Sequence, residues 1–309
     1  MRKFNIDFNK ALKPVLIAYV AIFVIGIIWS VIFGVKLDIN FAGGAKVSYS
    51  YEGDIANDDI KAVVDKHIKK DYTLTKSTAL ADDTQTFSIA LSGKNALSSK
   101  TQKALTKALE ESFKDNKIDL YDSNSVSPSI AGSFFAKSVA AVLITAILVI
   151  IYVGIRFRKI GGVSAGITAL VALVFDLLIT FFTCVIFGLQ IDINYIAVVL
   201  TMLGYSLNDT IVIYDRIREN RKYNPDTEIG ELVNSSVNTV VIRNIVTTVT
   251  TLLAVTTIIV VAEIHGLTSL RTFAIPMVFG LLSGATSSLF ISGPLWVIWR
   301  RHRAAKSKK

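Results

Sequence analysis

The sequence predicts a multi-pass α-helical membrane protein, with six transmembrane helices and one α+β domain held outside the cytoplasm. Three observations carry this. The 309 residues are 52% hydrophobic, with a mean hydropathy of +0.52, which is too apolar for an ordinary soluble chain. Six separate runs approach or exceed the roughly 20 apolar residues that cross a bilayer core. One long stretch between the first two runs has a mixed, periodic pattern instead. The division is residues 1–13, a cytoplasmic start; 14–34, the first span; 35–128, the external domain; 129–299, spans two to six; and 300–309, a basic cytoplasmic tail.

The first run, "PVLIAYVAIFVIGIIWSVIFG" from Pro14 to Gly34, follows Arg2, Lys3, Lys10 and Lys13. A basic start before an apolar run raises the question of a signal peptide. The run is too long for a signal core and no A-x-A site follows directly, so it is expected to be an uncleaved anchor. The other spans are expected at about Ser133 to Val153, Val163 to Phe187, Ile193 to Ile213, Thr239 to Val261 and Phe273 to Trp299. Pro276 lies near the start of the last and predicts a tilt or kink there. Trp296 and Trp299 at its end suit a membrane interface.

The formal net charge is +9, and its placement orients the chain. Basic residues gather before the first span, between the second and third (Arg156, Arg158, Lys159), between the fourth and fifth (Arg216, Arg218, Arg221, Lys222) and in the tail "RRHRAAKSKK". The alternate short loops are poor in them. The positive-inside rule then puts both termini in the cytoplasm of a cell-membrane protein. The basic tail reads as a topology signal favouring anionic membrane lipid, and no nucleic-acid partner is expected.

In the external domain, "AKVSYSYEG" alternates as a strand should. In "NDDIKAVVDKHIKK", Ile60, Val63, Val64, His67 and Ile68 share one helical face, with Asn57 as N-cap. "YTLTKSTAL" and "QTFSIALSG" read as strands, "SKTQKALTKALEESFKD" as a second amphipathic helix, and "KIDLYDSNSVS" as a closing strand. The order βαββαβ is the split, ferredoxin-like arrangement. Nothing in it points to an enzyme. His67 is expected to be a satisfied core histidine. Gly43-Gly44 is no phosphate loop, since no G-K-[ST] follows; it suits a tight turn into the first strand, with peptide recognition at a strand edge the lesser alternative. The lone Cys184 lies in an apolar run and supports neither a disulfide framework nor a metal site. Asp38, Asp192 and Glu263 are expected to be solvated at the outer boundary.

Charges inside the spans carry the functional argument. Each costs roughly 2.5–3.5 kcal/mol on insertion scales, so it usually faces a partner or water. The three are Asp176 in the third span, Asp209 in the fourth and Arg243 near the start of the fifth. The last two lie equally far from Asp226 in the connecting loop. A symmetric antiparallel hairpin would bring them to similar depth, on the order of 10 Å inside the cytoplasmic end at about 1.5 Å per residue. They could then face one another or a shared partner. Tyr205, Ser206 and Asn208 stand near Asp209. Thr239, Arg243, Thr247, Thr250 and Thr251 follow helical spacing on the fifth span, so a polar seam including Tyr205, Asn208 and Thr247 is expected. Losing water disfavours a charged carboxylate, a nearby guanidinium favours it, and the arginine itself stays charged. Such a pair can couple proton passage to helix motion, or simply fix helix register. Asp215, Arg216, Arg218 and Glu219 read as a boundary anchor. Gly162-x-x-x-Gly166 and Gly280-x-x-x-Gly284 are small-residue patterns that allow close helix approach.

The stretch "GYSLNDTIVIYDRIREN" closely resembles the fourth-helix motif of the SecF family, part of the bacterial SecDF protein-export complex. "LDINFAGG" and "VIRNIVTTVTT" resemble that family's segments after the first helix and in the fifth. The resemblance covers essentially the whole chain, most weakly the external domain. It implies membership of the resistance–nodulation–division superfamily and a separate SecD chain as partner. It further implies the SecYEG channel, a YidC-type insertase and the translocating unfolded polypeptide as contacts. By it, Asp209 and Arg243 serve ion coupling, driven by the proton-motive force, and Asp176 occupies a third-helix acid position. No cofactor is implied beyond the coupling ion, H+ or Na+. Two other functions stay open: half of a small-molecule exporter of the same superfamily, and a non-transporting scaffold of the channel complex.

Overall fold

The computed structural model describes residues 6–69, 72–78, 84–92 and 99–306. Arg2, Lys3, Lys70, Ala79, Leu80, Gly93 and the last three tail residues, all invoked above, lie outside them. Six helical stretches are long and apolar enough to cross a membrane. They are α1 (Phe8–Phe33), α5 (Pro128–Arg156), α6 (Gly162–Ile186), α7 (Ile193–Tyr223), α8 (Ile229–Ile264) and a last stretch, Thr268–Lys306. Each starts earlier or ends later than its apolar core. Helix α8, for instance, begins at Ile229 rather than near Thr239, because Glu228 caps it by accepting from the amides of Gly230 and Glu231. Hydropathy marks the part that lipid wets; the hydrogen-bonded backbone runs on into the polar flanks.

Helix α6 sits centrally, packed by α1, α5, α7 and α9 (Thr268–Ser287). Small residues make this possible. A side chain at Gly162 would run into the Gly154 carbonyl of α5, and one at Gly166 would meet the Ile150 carbonyl at 3.3 Å. A Cβ at Gly280 would fall 2.6 Å from Thr180 Cγ2, and one at Gly284 3.2 Å from Ser206 Cβ. Both small-residue patterns of the sequence are therefore contact points between helices. The outer faces of α1 and α5 are apolar and uncovered, as lipid-facing helices require, whereas the uncovered face of α8 also carries Arg243 and several threonines.

The last stretch carries an interruption that the sequence reading did not include. Helix α9 continues through Pro276, and its interruption comes later, as a π-helical turn over Ser288–Ser292 before α10 (Gly293–Lys306). Pro294 supplies the reason: it has no amide to donate, and its ring crowds the carbonyl four residues back. Trp296 also differs. It is 2% exposed and donates to Ser164 Oγ at 3.0 Å, so it belongs to the helix packing rather than an interface belt; Trp299 stays exposed.

Between α1 and α5 stands the α+β domain. A one-turn helix α2 (Ile39–Ala42) leads through Gly43, at φ +74°, into β1 (Gly44–Ser50). Then come α3 (Asn57–His67), β2 (Thr73–Thr78), β3 (Gln85–Ser92), α4 (Ser99–Ser112) and β4 (Asp119–Val126). The sheet order is β2-β3-β1-β4 with every neighbouring pair antiparallel, the split βαββαβ topology the pattern predicts. Alternate residues Val47 and Tyr49 of β1, opposite Ile89 and Phe87, face α3 and α4 and close a core with Ile60, Val64, Leu105 and Leu109. Asn57 is the first helical residue rather than the cap: Ala56 holds that place without a side-chain bond, and Asp58 and Asp59 favour the positive helix end instead. His67 is half-buried and bonds the Val63 carbonyl of its own helix.

The domain is tied to the bundle by backbone bonds. Asp38 N donates to the Ile191 carbonyl (3.1 Å) and Ile191 N to Lys36 (2.8 Å), while Thr78 N reaches Gly266 O (3.3 Å). Two boundary acids are less solvated than expected because they cap helices here. Asp38 is buried and receives the Asn40 amide; Asp192 is half-buried and receives Tyr195 N at 3.0 Å and Thr272 Oγ1 at 3.1 Å. Glu263 pairs with Arg271 at 2.7 Å.

Candidate functional site: buried carboxylates of the helix bundle

Helices α6, α7, α8 and α9 bring the polar residues to the middle of the bundle. Asp176 of α6 is 0% exposed. Its Oδ1 accepts from Ser283 Oγ (2.6 Å), and its Oδ2 from Ser206 Oγ (2.6 Å) and Ser287 Oγ (3.0 Å). Three hydroxyls from α7 and α9 thus satisfy the carboxyl group, and no described cation pairs with it within 4.0 Å. The sequence pattern marks Ser206 only as a neighbour of Asp209. Ser283 and Ser287, one turn apart in "SGATSS", were missed, although a hydroxyl pair at helical spacing in an apolar span is a usable signal.

Asp209 sits one turn past Ser206 on α7 and is 3% exposed; its Oδ2 is buried without a hydrogen-bond partner. Arg243 acts on it electrostatically, yet no ion pair within 4.0 Å joins them. The hairpin register explains this. Tyr205 OH donates to Thr251 Oγ1 at 3.1 Å, and Asn220 Nδ2 to Ser236 Oγ at 2.8 Å. Counting between these bonds puts Asp209 opposite Thr247, with Arg243 one turn further toward the chain termini, about 6 Å at 1.5 Å per residue. Side chains also lean toward their own helix N-terminus, and in an antiparallel pair that sends the two apart.

The rest of the expected seam divides. Tyr205 makes the cross-helix bond. Asn208 is exposed. Thr247 returns its hydroxyl to the Arg243 carbonyl (2.9 Å), as Thr239 and Thr250 do to carbonyls of their own helix. Most of this face of α8, Arg243 included, is uncovered within the single chain. The buried polar face of α8 carries Asn244 and Thr248 instead. Both amide atoms of Asn244 and the Thr248 hydroxyl are buried without partners, like Asp209 Oδ2. Four unpaired buried polar atoms on two packed helices are costly, and water or a bound ion is what usually satisfies such groups. At the helix ends nearest the termini, Asp215 bonds Arg218 (2.7 Å) and Arg156 of α5 (3.0 Å), and Arg216 bonds Glu219 (2.7 Å), as a boundary anchor should.

A six-span bundle with two buried carboxyl groups, and a ferredoxin-like domain at one end, defines a multi-pass membrane protein with an α+β domain between its first two spans. Residues 104–302 match the model for "Protein export membrane protein SecD/SecF, C-terminal". The chain is 31% identical to the SecF protein translocase subunit of Petrotoga mobilis, over 99% of both chains, and 32% identical to that of Alicyclobacillus acidocaldarius, over 94% of this chain and 91% of that one. It belongs to the SecD/SecF family of protein-export membrane proteins. Bacillus subtilis SecDF is 31% identical over 97% of this chain and 39% of its own length. The crystal structure of SecDF from Thermus is similar at a TM-score of 0.79 and 26% identity, over 96% of this chain and 39% of that one. A SecDF structure in a super-membrane-facing form gives 0.69 and 27%, over 99% and 40%. The chain thus spans about two fifths of those larger proteins.

Proposed function

We propose that the chain is a SecF-type subunit that pairs with a separate SecD chain and assists SecYEG-dependent translocation of unfolded protein, drawing on the proton-motive force. Both termini face the cytoplasm in this reading and the α+β domain handles polypeptide emerging outside. Asp209 exchanges the coupling ion, Arg243 responds to its charge, and Asp176 belongs to the same relay.

One observation carries the coupling role: Asp209 is buried with an unpartnered oxygen, and Arg243 stands a turn away instead of locked to it. A static ion pair would show the opposite, a short contact with both groups satisfied. A gap that a small helix movement can close lets the charge of one group depend on the position of the other. The uncovered face of α8 supports the SecD partner. Arg243 lies there among exposed Ile242, Ile245 and Val246, and a guanidinium facing lipid alone is expensive.

The test measures preprotein secretion into membrane vesicles with and without a proton gradient, for wild type, Asp209→Asn and Arg243→Met at matched expression. Loss of gradient-dependent stimulation with intact ATP-driven transport is expected. Full stimulation in both variants would overturn coupling and leave a scaffold. Substituting a sodium gradient decides the ion.

A further inference from the structure

Buried hydroxyls continue from Asp176 toward the terminal end of the bundle. Below Ser206 on α7 come Thr210 and Tyr214, each one turn further on, and all three are buried. Opposite them the π-helical turn presents Ser288 and Ser292. Thr210 Oγ1 and Ser288 Oγ share a hydrogen bond at 3.0 Å, and Tyr214 OH and Ser292 Oγ one at 2.9 Å. Ser288 Oγ also donates to the Ser206 carbonyl at 3.3 Å. Tyr214 OH is next shared with Thr168 Oγ1 of α6 at 2.7 Å. Thr168 bonds the carbonyl of Ser164, whose hydroxyl reaches Gly161 at the start of α6, where Arg300 lies close.

Elsewhere in this protein, membrane-level threonines behave differently. Thr145, Thr201, Thr257 and Thr286 each return the hydroxyl to a carbonyl four residues back on their own helix, and none bonds another side chain. That disposal was equally open to Ser283, Thr210 and Ser292. They bond across helices instead, in a row of buried hydroxyl pairs that leads up to the hydroxyls on the Asp176 carboxyl group. The π turn, imposed by Pro294, sits where two of the file's hydroxyls are presented, and such turns recur at functional sites.

We propose that this file is the proton route between Asp176 and the cytoplasmic end of the bundle, with Thr210 and Tyr214 as required links. The proposal rests on the ion-coupling reading above. Where hydroxyl bonds hydroxyl, an oxygen lone pair accepts a proton and the same hydroxyl releases its own to the next oxygen, whereas a backbone carbonyl has no proton to pass on. One O–H bond forms as one breaks, and rotation of the hydroxyls resets the file. Three gaps interrupt the file among the described residues: Ser288 meets Ser206 only at its backbone carbonyl, no hydrogen bond joins the Thr210–Ser288 and Tyr214–Ser292 pairs, and Thr168 meets Ser164 only at its carbonyl, so transfer there needs a hydroxyl rotation or a water. Two of these gaps adjoin the π turn, so a movement of that turn can interrupt or complete conduction.

The experiment uses vesicles carrying the full chain with SecD and the channel, reading gradient-dependent stimulation beside ATP-driven secretion. Thr210→Val and Tyr214→Phe keep shape and remove one hydroxyl each. Both are expected to lower gradient-dependent stimulation by at least about tenfold while ATP-driven secretion and complex assembly stay at wild type. Thr210→Ser should restore it, and Thr145→Val on α5, whose hydroxyl bonds only its own helix, should have no effect. Wild-type stimulation in Thr210→Val and Tyr214→Phe, with Asp209→Asn inactive, overturns the route and leaves the coupling role standing. Wild-type stimulation in Asp176→Asn also overturns the route, by removing its end point. Wild-type stimulation in Asp209→Asn overturns the coupling reading itself. Equal loss in Thr210→Val and Thr210→Ser, or a parallel fall in assembly, assigns the hydroxyls to packing and overturns the route as well.

Discussion

Tyr205 of α7 donates to Thr251 of α8 at 3.1 Å, and with the Asn220–Ser236 bond this sets how the two helices lie against each other. Their register decides that Arg243 falls a turn away from Asp209. A single tyrosine hydroxyl therefore bears on the geometry of both charged residues.

Removing that hydroxyl with Tyr205→Phe should cost stability by about 0.5–1.5 kcal/mol, the net worth of one such bond. The loss should be read as a lower thermal midpoint of the purified protein. A double variant with Asn220→Ala should lose more than either alone, since both bonds hold one hairpin.

Asp176 keeps three hydroxyls satisfied, so Asp176→Ala strands them in a dry interior. It should destabilise by roughly 2–4 kcal/mol. Asp176→Asn preserves shape and hydrogen-bonding capacity, because serine hydroxyls can turn to accept from an amide. Its loss in thermal stability should be clearly the smaller. Equal losses would contradict the network drawn around this carboxyl group.

Two glycines one helix apart should respond oppositely. Gly280→Ala places a Cβ 2.6 Å from Thr180 Cγ2 of α6 and 3.1 Å from Met202 Sδ of α7, so α9 must move off α6; about 1–3 kcal/mol of destabilisation is expected. Gly204→Ala meets nothing within 4 Å and should be neutral or slightly stabilising through helix propensity. Thermal unfolding of both variants in one detergent makes the comparison.

Burial raises Asp192 above its ordinary value of 3.8, against the Tyr195 amide and the Thr272 and Asn194 bonds, which lower it. The fold therefore holds the proton more tightly than the unfolded chain does. Its contribution to stability is full below about pH 4 and is lost as the pH rises through the raised folded value. Asp192→Asn, which still caps α7, should flatten this part of the stability profile measured from pH 4 to 8. An unchanged profile would contradict the burial of this cap.

The spans, their number, and the order of strands and helices in the external domain were legible because each rests on a local pattern. Apolar run length marks a span, and a period of two or of 3.6 marks a strand or a helix. The three intramembrane charges were legible for the same reason, since a charge within an apolar run stands out wherever it points. The π turn in the last span was not legible: Pro276 marks its start, and nothing local says that the regular helix also yields before Pro294. Trp296 was misplaced because an aromatic near a helix end suits an interface or a core equally well, and only the neighbouring Ser164 decides between them.

By itself, then, the sequence determined a six-span membrane chain with a βαββαβ domain and placed Asp176, Asp209 and Arg243 within its spans. Only the tertiary structure decided what those residues meet. Asp176 is satisfied by Ser206, Ser283 and Ser287, two of them more than a hundred residues away along the chain. The symmetric hairpin expected from residue counting put Arg243 level with Asp209, and two side-chain bonds that involve neither residue put it a turn away. Hydropathy and periodicity report what each segment does against solvent or lipid. Register between helices is fixed by contacts between segments, where a shift of four residues moves a charge by about a turn and leaves every local pattern unchanged.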